Sequence, residues 1–196
     1  MTIHRYRTMQ HITFTLLMNL LFLAIGQSVA LASEPPPLTT VAALDVPRYM
    51  GRWYEIAKYP NRFQRKCVAD TSAEYKLEPD GRVKVINRCR MENDEWNEAV
   101  GMARQVGDTS SPKLEVRFAP AWLSFIPAVW GDYWVIDLDP EYQLVAVSEP
   151  WREYLWVLSR SPAVRHDVLA ALLERLRRLG FDTNRLEVSA HGKKQG

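Results

Sequence analysis

The two cysteines of this chain, Cys67 and Cys89, are the residues whose chemistry is most readily inferred from the sequence. An even number of cysteines in a chain with an export signal favours a disulfide, because exported proteins fold in oxidising compartments. The bond would close a loop of about twenty residues and stabilise the fold by roughly 3 kcal/mol on the chain-entropy estimate. Two cysteines are too few for a structural zinc site, so we expect no metal.

Side chains that act as catalytic acids, bases or nucleophiles form no recognisable pattern. Beyond the N-terminal signal the histidines are His166, in a predicted helix, and His191, near the C-terminus. Glu55 is the one candidate acid, and we expect it to pair with Arg160 or with backbone. The sequence contains no glycine-rich phosphate loop or nucleophile motif. We therefore predict a protein with no catalytic residues and no cofactor.

Residues 1–32 have the features of a secretory signal peptide. Arg5 and Arg7 precede an apolar run from about residue 12 to residue 25, and small residues lead to an Ala-x-Ala site that ends at Ala32. The apolar run is short for a membrane span, so cleavage after Ala32 is the main interpretation and an uncleaved anchor is the alternative. No cysteine lies near this junction to carry a lipid. We expect a soluble periplasmic or secreted protein, and outer-membrane association stays open.

The chain after the signal is predicted to form one domain. A Pro-rich linker over 33–40 precedes a domain over 41–190, and a short tail follows over 191–196. The formal net charge of +2 falls to zero once Arg5 and Arg7 are removed. A neutral domain does not suit a polyanion, so we expect no nucleic-acid partner.

Apolar and polar residues alternate repeatedly, with turn signals between the segments, which is typical of an antiparallel all-β domain. The turn at Pro79-Asp80-Gly81 sets a register that places Tyr75 and Val85 on one face. The predicted strands cover about 52–59, 69–77, 83–89, 96–106, 113–118, 132–138, 142–148 and 154–160. This pattern indicates an up-and-down barrel or a sandwich.

One helix is predicted after these strands. Ser161 suits its N-cap, Pro162 its first position and Gly180 its end. A stripe of apolar residues from Val164 to Leu179 predicts that the helix packs on the outside of the sheet. A short strand is expected at about 185–188.

Three motifs, in order, resemble the signatures of the lipocalin family. The first is Gly51-Arg52-Trp53-Tyr54; the second is Asp139 with Tyr142; the third runs from Tyr154 to Arg160. The likeness extends from about Leu44 to Leu186. The stretches WYEIAKYPNRF and KLEVRF are most similar to the bacterial lipocalin and apolipoprotein D branch.

The resemblance implies an eight-stranded antiparallel up-and-down β-barrel, closed at one end, with the helix outside and one small apolar ligand inside. It also implies that Trp53 lies at the closed end with Arg160 over its ring, a stacking worth about 1 to 2 kcal/mol. Gly51 would let the chain turn into the barrel.

Small inward residues such as Ala99 and Gly101 predict a hollow barrel rather than a filled one. Its apolar walls suit a flexible acyl chain. Asn87 is the predicted polar contact, either to a ligand head group or to a neighbouring strand. The predicted ligand-binding residues are Tyr75, Val83, Val85, Asn87, Ala99, Gly101, Val116, Phe118, Trp134, Ile136 and Trp156.

An uncharged apolar loop over 119–131 is predicted at the open end. Its large side chains are Trp122, Leu123, Phe125, Ile126 and Trp130. A surface of this kind usually marks a contact, so the loop either touches a membrane or second subunit, or folds down over its own cavity. Both interpretations stay open.

The sequence alone predicts an apolar ligand, and the resemblance together with the character of the cavity implies a carrier of a fatty acid or a lysophospholipid. A lipid isomerase or cyclase is the alternative, since one branch of the resembled family uses a free cysteine near the position of Cys67. An interaction module built on the 119–131 loop, including a homodimer, is the other.

Overall fold

A computed structural model describes residues 36–192. The predicted signal peptide, the first part of the linker and the last four residues of the tail lie outside the described residues. Within 36–192 none of the helices has both the length and the apolar character needed to cross a bilayer.

Eight strands form the barrel, and their bounds lie close to those predicted. Two helices and several single 3-10 turns complete the domain. The strands are β1 Gly51–Lys58, β2 Ala69–Leu77, β3 Val83–Arg90, β4 Trp96–Gln105, β5 Lys113–Arg117, β6 Gly131–Leu138, β7 Leu144–Ser148 and β8 Leu155–Ser159, and the helices are α1 Val46–Tyr49 and α2 His166–Arg178.

Consecutive strands pair antiparallel from β2 through to β8, and β1 pairs with both β8 and β2, which closes the sheet on itself. The predicted hairpin register is confirmed, with Tyr75 opposite Val85 and Leu77 opposite Val83. The fold is therefore the closed eight-stranded barrel that the resemblance implied, because the sheet has no free edge between first and last strand.

The C-terminal segment completes the wall where β1 and β2 separate. Strand β1 pairs with β2 only from Gly51 to Tyr54. Beyond that point the short strand β9, Glu187–Val188, pairs with β1 instead. The amide of Asp70 on β2 then donates to the carbonyl of Ala190 at 2.8 Å. The short strand that was predicted at about 185–188 is therefore present, at Glu187–Val188.

The described residues of the predicted linker also pack against the domain. Leu38 is buried in the apolar cluster beneath α2. The carbonyl of Pro36 accepts a hydrogen bond from Arg152 at 2.7 Å. The described part of the linker thus lies against the barrel.

Helix α2 packs outside the barrel through Leu172 and Leu176, both fully buried, as predicted. The predicted start at Ser161 is wrong, because the helix begins at His166 after an extended segment. The Ser161 hydroxyl accepts a bond from the amide of Ala163 at 3.4 Å, so it caps a turn. At the other end Gly180 has φ +88°, the left-handed conformation that terminates helices.

The buried residues form two clusters, one inside the barrel and one between barrel and α2. In β6, Tyr133 and Val135 belong to the interior cluster, whereas Trp134 and Ile136 pack in the outer one. The predicted inward direction of Trp134 and Ile136 is therefore wrong. Both faces of this strand are buried, so its sequence is apolar throughout and alternation does not reveal which face is inside.

Candidate functional site: a cavity open at one end

The interior holds a cavity of about 770 Å³ that opens between the loops after β1, β5 and β7. This volume lies in the range of small-molecule sites. Most of the predicted ligand-binding residues lie in its wall: Tyr75, Val83, Val85, Asn87, Ala99, Val116, Phe118 and Trp156. The hollow exists because β2 and β4 present small side chains to the interior: Ala73, Ala99 and Ala103.

Gly101 is inward, as predicted, but it does not line the cavity. A Cβ atom placed on Gly101 would lie 2.8 Å from the Phe118 ring and 2.8 Å from the carbonyl oxygen of Arg117. The Phe118 ring therefore covers Gly101, and the two residues together form one piece of wall. Glycine allows this close approach of an aromatic ring to the strand.

The closed end is built around Trp53, which is fully buried. The guanidinium carbon of Arg160 lies 3.9 Å from the centroid of its ring. Arg160 also donates to the carbonyls of Arg48 and Arg52, each at 3.0 Å. Gly51, with φ +95°, would bring a Cβ within 3.3 Å of the same guanidinium. The side chain of Arg160 thus ties α1 to the ends of β1 and β8.

Three tyrosine side chains line the floor of the cavity just above Trp53. Tyr49 comes from α1, Tyr75 from β2 and Tyr133 from β6. The hydroxyl of Tyr133 lies 2.6 Å from that of Tyr49 and 2.9 Å from that of Tyr75. The floor is therefore polar, although the walls above it are apolar.

Burial sets the ionisation of this trio. It raises the pKa of Tyr75 to about 12 and raises the pKa values of Tyr49 and Tyr133 well above 10. Arg160, below the trio, acts in the opposite direction on Tyr49 and Tyr75 but is the smaller influence. All three hydroxyls are consequently protonated at neutral pH.

Tyr49 and Tyr133 were not identified from the sequence as cavity residues. Tyr49 precedes the first strand, where strand periodicity gives no information. Tyr133 and Val135 lie on the same face of β6. Because the opposite face was predicted to point inward, Tyr133 was not identified. The sequence feature that could have indicated Tyr133 as a cavity residue is its position near the start of the strand that follows the apolar loop.

A second polar group lines the cavity nearer the open end. The carboxylate of Glu55, only 2% exposed, accepts hydrogen bonds from Gln64 at 2.5 Å and from the Ser189 hydroxyl at 2.6 Å. The predicted partnership with Arg160 is therefore wrong. Gln64 in turn accepts a bond from the indole of Trp156 at 3.0 Å. Burial is the main reason that the pKa of Glu55 is raised.

The loop between β5 and β6 divides its apolar side chains between solvent and cavity. Trp122 and Phe125 are 72% and 77% exposed. Ala128, Val129 and Trp130 line the cavity. The Trp130 ring also contacts Arg104 and Arg117, whose guanidinium carbons lie 4.2 and 5.3 Å from its centroid. Part of the loop therefore reaches the cavity, and contact of the exposed part with a membrane or a second subunit stays a prediction.

Two further aromatic residues at the opening were not identified from the sequence. Phe63, in the loop after β1, is 61% exposed, and Trp151, in the loop after β7, is 81% exposed. Together with Trp122 and Phe125 they form a set that we call the aromatic rim. Phe63 lies between Arg62 and Gln64, and Trp151 between Pro150 and Arg152, so neither belongs to an apolar run.

Cys67 and Cys89 form the predicted disulfide, with Cα atoms 5.5 Å apart. Both thiols of the chain are thereby used. The bridge joins the loop after β1 to β3 at the bulge near Asp70, whose φ of +54° accommodates the change of register. A lipid isomerase that depends on a free Cys67 has no nucleophile in this arrangement.

A family model described as a lipocalin-like domain matches residues 44–191. The chain belongs to the lipocalin family. Lipocalins generally bind small hydrophobic ligands, which agrees with an open-ended cavity that has largely apolar walls.

Relatives occur in plants, bacteria and animals. The chain is 41% identical over 156 residues to temperature-induced lipocalin-1 of Arabidopsis thaliana, covering 79% of this chain and 83% of the relative. It is 38% identical to the outer membrane lipoprotein Blc of Citrobacter freundii, covering 81% and 86%. Mouse apolipoprotein D is 31% identical, with 83% and 85% covered.

Solved lipocalin structures share the fold at low sequence identity. Insecticyanin from the tobacco hornworm Manduca sexta superposes with a TM-score of 0.63 at 19% identity, covering 81% of this chain and 86% of its own. Apocrustacyanin C1 gives a TM-score of 0.59 at 12% identity, covering 76% and 81%. These likenesses support the barrel architecture alone.

Proposed function

We propose that this lipocalin binds and carries a single-chain lipid, a fatty acid or a lysophospholipid, in the cell envelope. The observation that carries the proposal is the cavity of about 770 Å³, walled by aliphatic and aromatic side chains and open at one end. Burying ten methylene groups there would contribute roughly 8 kcal/mol before ordering costs, which is enough for micromolar affinity.

The opening suits a polar head group. Asn87 lines the cavity on β3, facing Ala73 and Ala99 on the neighbouring strands. Neither alanine side chain can bond to its amide, so the amide is available to a head group. An acyl chain below Asn87 would contact Val83 and Val85, which share its face of the strand. This orientation places the charged end of the lipid near water, where it stays solvated.

The envelope location is supported by the predicted signal peptide and by the bacterial relatives, which are outer membrane lipoproteins. This chain has no cysteine near the predicted cleavage site. We therefore propose a periplasmic or secreted form without a lipid anchor.

Binding can be tested by native mass spectrometry of the purified protein, followed by extraction and identification of the lipids that co-purify. Titration with palmitic acid and with lysophosphatidylethanolamine would then give affinities. Ala99→Phe, which fills the cavity, should weaken binding at least about tenfold because the acyl chain loses its space. Val100→Phe is the matched control, since Val100 is exposed on the opposite face of β4. Equal affinity in both variants would reject the cavity as the binding site.

We also propose that the aromatic rim contacts a membrane surface while lipid enters. The four aromatic side chains lie on three separate loops around one opening, and Arg62 lies beside Phe63 with its guanidinium carbon 5.2 Å from the ring centroid. Aromatic side chains next to basic residues favour the interface of a bilayer.

Partitioning onto phosphatidylcholine vesicles with and without phosphatidylglycerol tests this second proposal. The double variant Trp122→Ser/Phe125→Ser should partition several-fold more weakly. Leu77→Ser, an exposed apolar residue at the end of β2 on the closed side, is the control. Unchanged partitioning in the double variant would reject membrane contact, and a concentration-dependent doubling of mass that the same variant abolishes would indicate a homodimer instead.

A further inference from the structure

The tyrosine trio at the cavity floor holds a hydrogen-bond donor that the described contacts do not use. Three hydroxyls carry three protons, and two oxygen–oxygen contacts, Tyr49 to Tyr133 and Tyr133 to Tyr75, join them. Each contact uses one proton, whichever hydroxyl donates. Among the hydrogen bonds of residues 36–192, no third acceptor receives the remaining one. One O–H of the trio is therefore available to a molecule in the cavity.

The trio is held rigidly, so that its hydroxyls stay in place. The ring of Tyr49 lies 5.0 Å from that of Trp53 and 5.5 Å from that of Tyr75, measured between centroids. The ring of Tyr133 meets that of Tyr75 edge-on at 6.1 Å. Such packing allows little reorientation of the hydroxyl oxygens, and a buried donor without a partner disfavours an apolar group placed against it.

The surroundings favour an acceptor atom over a donor or a cation at this position. Arg160 lies directly below and contributes positive charge to the potential felt by Tyr49 and Tyr75. The raised pKa values of the three hydroxyls keep them protonated and hence able to donate. A carboxylate bound at the floor would lose its hydration, whereas a carboxylate at the open end stays hydrated. The charged group of a lipid is therefore disfavoured at the floor. The atom that best fits the floor is a neutral oxygen.

We infer that the floor formed by Tyr49, Tyr75 and Tyr133 is an oxygen-binding subsite, selecting lipids that carry a hydroxyl or keto group on the part of the chain that reaches it. This inference rests on the proposed lipid binding and adds the ligand class: an acyl lipid oxygenated far from its head group. A plain acyl chain ends in a methyl group, which would leave the O–H without an acceptor.

The inference is tested by titrating the mature protein with a series of ω-hydroxy fatty acids and with the plain fatty acids of equal chain length. At the length that brings the terminal hydroxyl to the floor, the hydroxy acid should bind about tenfold more tightly than its plain counterpart, the effect of one satisfied buried hydrogen bond. Shorter chains should show no such preference, because their hydroxyl stops among the apolar walls.

The triple variant Tyr49→Phe/Tyr75→Phe/Tyr133→Phe removes every hydroxyl of the trio and keeps the rings. It should reverse the preference, with plain fatty acids bound at least as tightly as in the unaltered protein. Tyr59→Phe is the control, because the Tyr59 hydroxyl bonds to Asp182 outside the barrel and its loss should leave the preference intact. Circular dichroism and bound plain fatty acid would show that the triple variant is folded.

Two failures are distinguishable. Plain and hydroxylated acids that bind equally at every chain length, with no change in the triple variant, would overturn the oxygen subsite and leave lipid binding in place. Absence of saturable binding for both series in the unaltered protein would overturn the proposed function and this inference with it.

Discussion

The guanidinium carbon of Arg160 lies over the indole of Trp53, 3.9 Å from its centroid, while the indole nitrogen donates to the carbonyl of Tyr49 at 2.9 Å. The same carbonyl accepts a bond from Arg160 at 3.2 Å. The two side chains therefore hold one backbone atom between them. Because that atom ends α1, the closed end of the barrel depends on this pair.

Arg160→Lys should destabilise the protein, although it conserves the charge. A lysine cannot donate in several directions at once, so it would leave some of the carbonyls of Arg48, Tyr49 and Arg52 without their donor. We expect the free energy of unfolding to fall by about 2–4 kcal/mol, from lost hydrogen bonds and lost stacking. Urea denaturation measures it. Arg178→Lys, at an exposed position on α2, should change stability by less than about 0.5 kcal/mol.

The disulfide should stabilise the fold mainly by restricting the unfolded chain. The cysteines are separated by 22 positions. Cys67→Ser/Cys89→Ser should therefore lower the free energy of unfolding by roughly 3 kcal/mol. A thiol titration of the unaltered protein in denaturant should find no free thiol. Reductant should destabilise the unaltered protein and leave the double variant unaffected; equal stability of the two proteins without reductant would contradict a structural role.

The parts of the fold that were predicted correctly depend on local sequence. The turn at Asp80-Gly81 fixes the register of β2 against β3, and Gly180 fixes the end of α2, because each needs a backbone conformation that few residues adopt. Alternation also identified the small inward residues of β4. The three lipocalin motifs then supplied the closure of the barrel, which strand periodicity alone could not distinguish from a sandwich.

The parts that were not predicted depend on residues far apart in the chain. Glu55 finds its partner Ser189 only because the C-terminal segment lies beside β1. The polar floor needs Tyr49, Tyr75 and Tyr133 to converge from three elements. Both faces of β6 are buried, so hydrophobicity could not place Tyr133 inside and Trp134 outside. In each case the deciding contact joins residues that are far apart in the sequence, so local periodicity does not reveal it.

Gly101 and Phe118 should be energetically coupled. An alanine at Gly101 would meet the Phe118 ring and the Arg117 carbonyl at 2.8 Å, so ring or strand must move. We expect Gly101→Ala to lower the free energy of unfolding by about 1–3 kcal/mol, the usual cost of overpacking. Combining it with Phe118→Ala should cost less than the two changes summed. Gly131→Ala is the control, since its nearest neighbour would lie 3.8 Å away. Strict additivity would contradict the coupling.

Glu55 should make stability fall as the pH rises. Burial raises the pKa of Glu55 above its ordinary value of 4.5, so the folded protein holds this proton more tightly than the unfolded chain does. The contribution of Glu55 to the free energy of unfolding is therefore most favourable below the ordinary carboxyl pKa. It is lost progressively as the pH rises through the raised pKa of the folded protein.

The variant Glu55→Gln removes this titration and keeps the shape of the side chain. Its stability minus that of the unaltered protein should be smallest below the ordinary carboxyl pKa of 4.5 and should increase as the pH rises through the raised pKa of Glu55, above which the unaltered protein holds a buried carboxylate. Urea denaturation at a series of pH values measures the difference. Glu95→Gln, at an exposed position, is the control for the loss of one carboxyl group. A difference for Glu55→Gln that decreases as the pH rises would mean that the carboxylate, with Gln64 and Ser189 as donors, is the preferred form in the folded barrel.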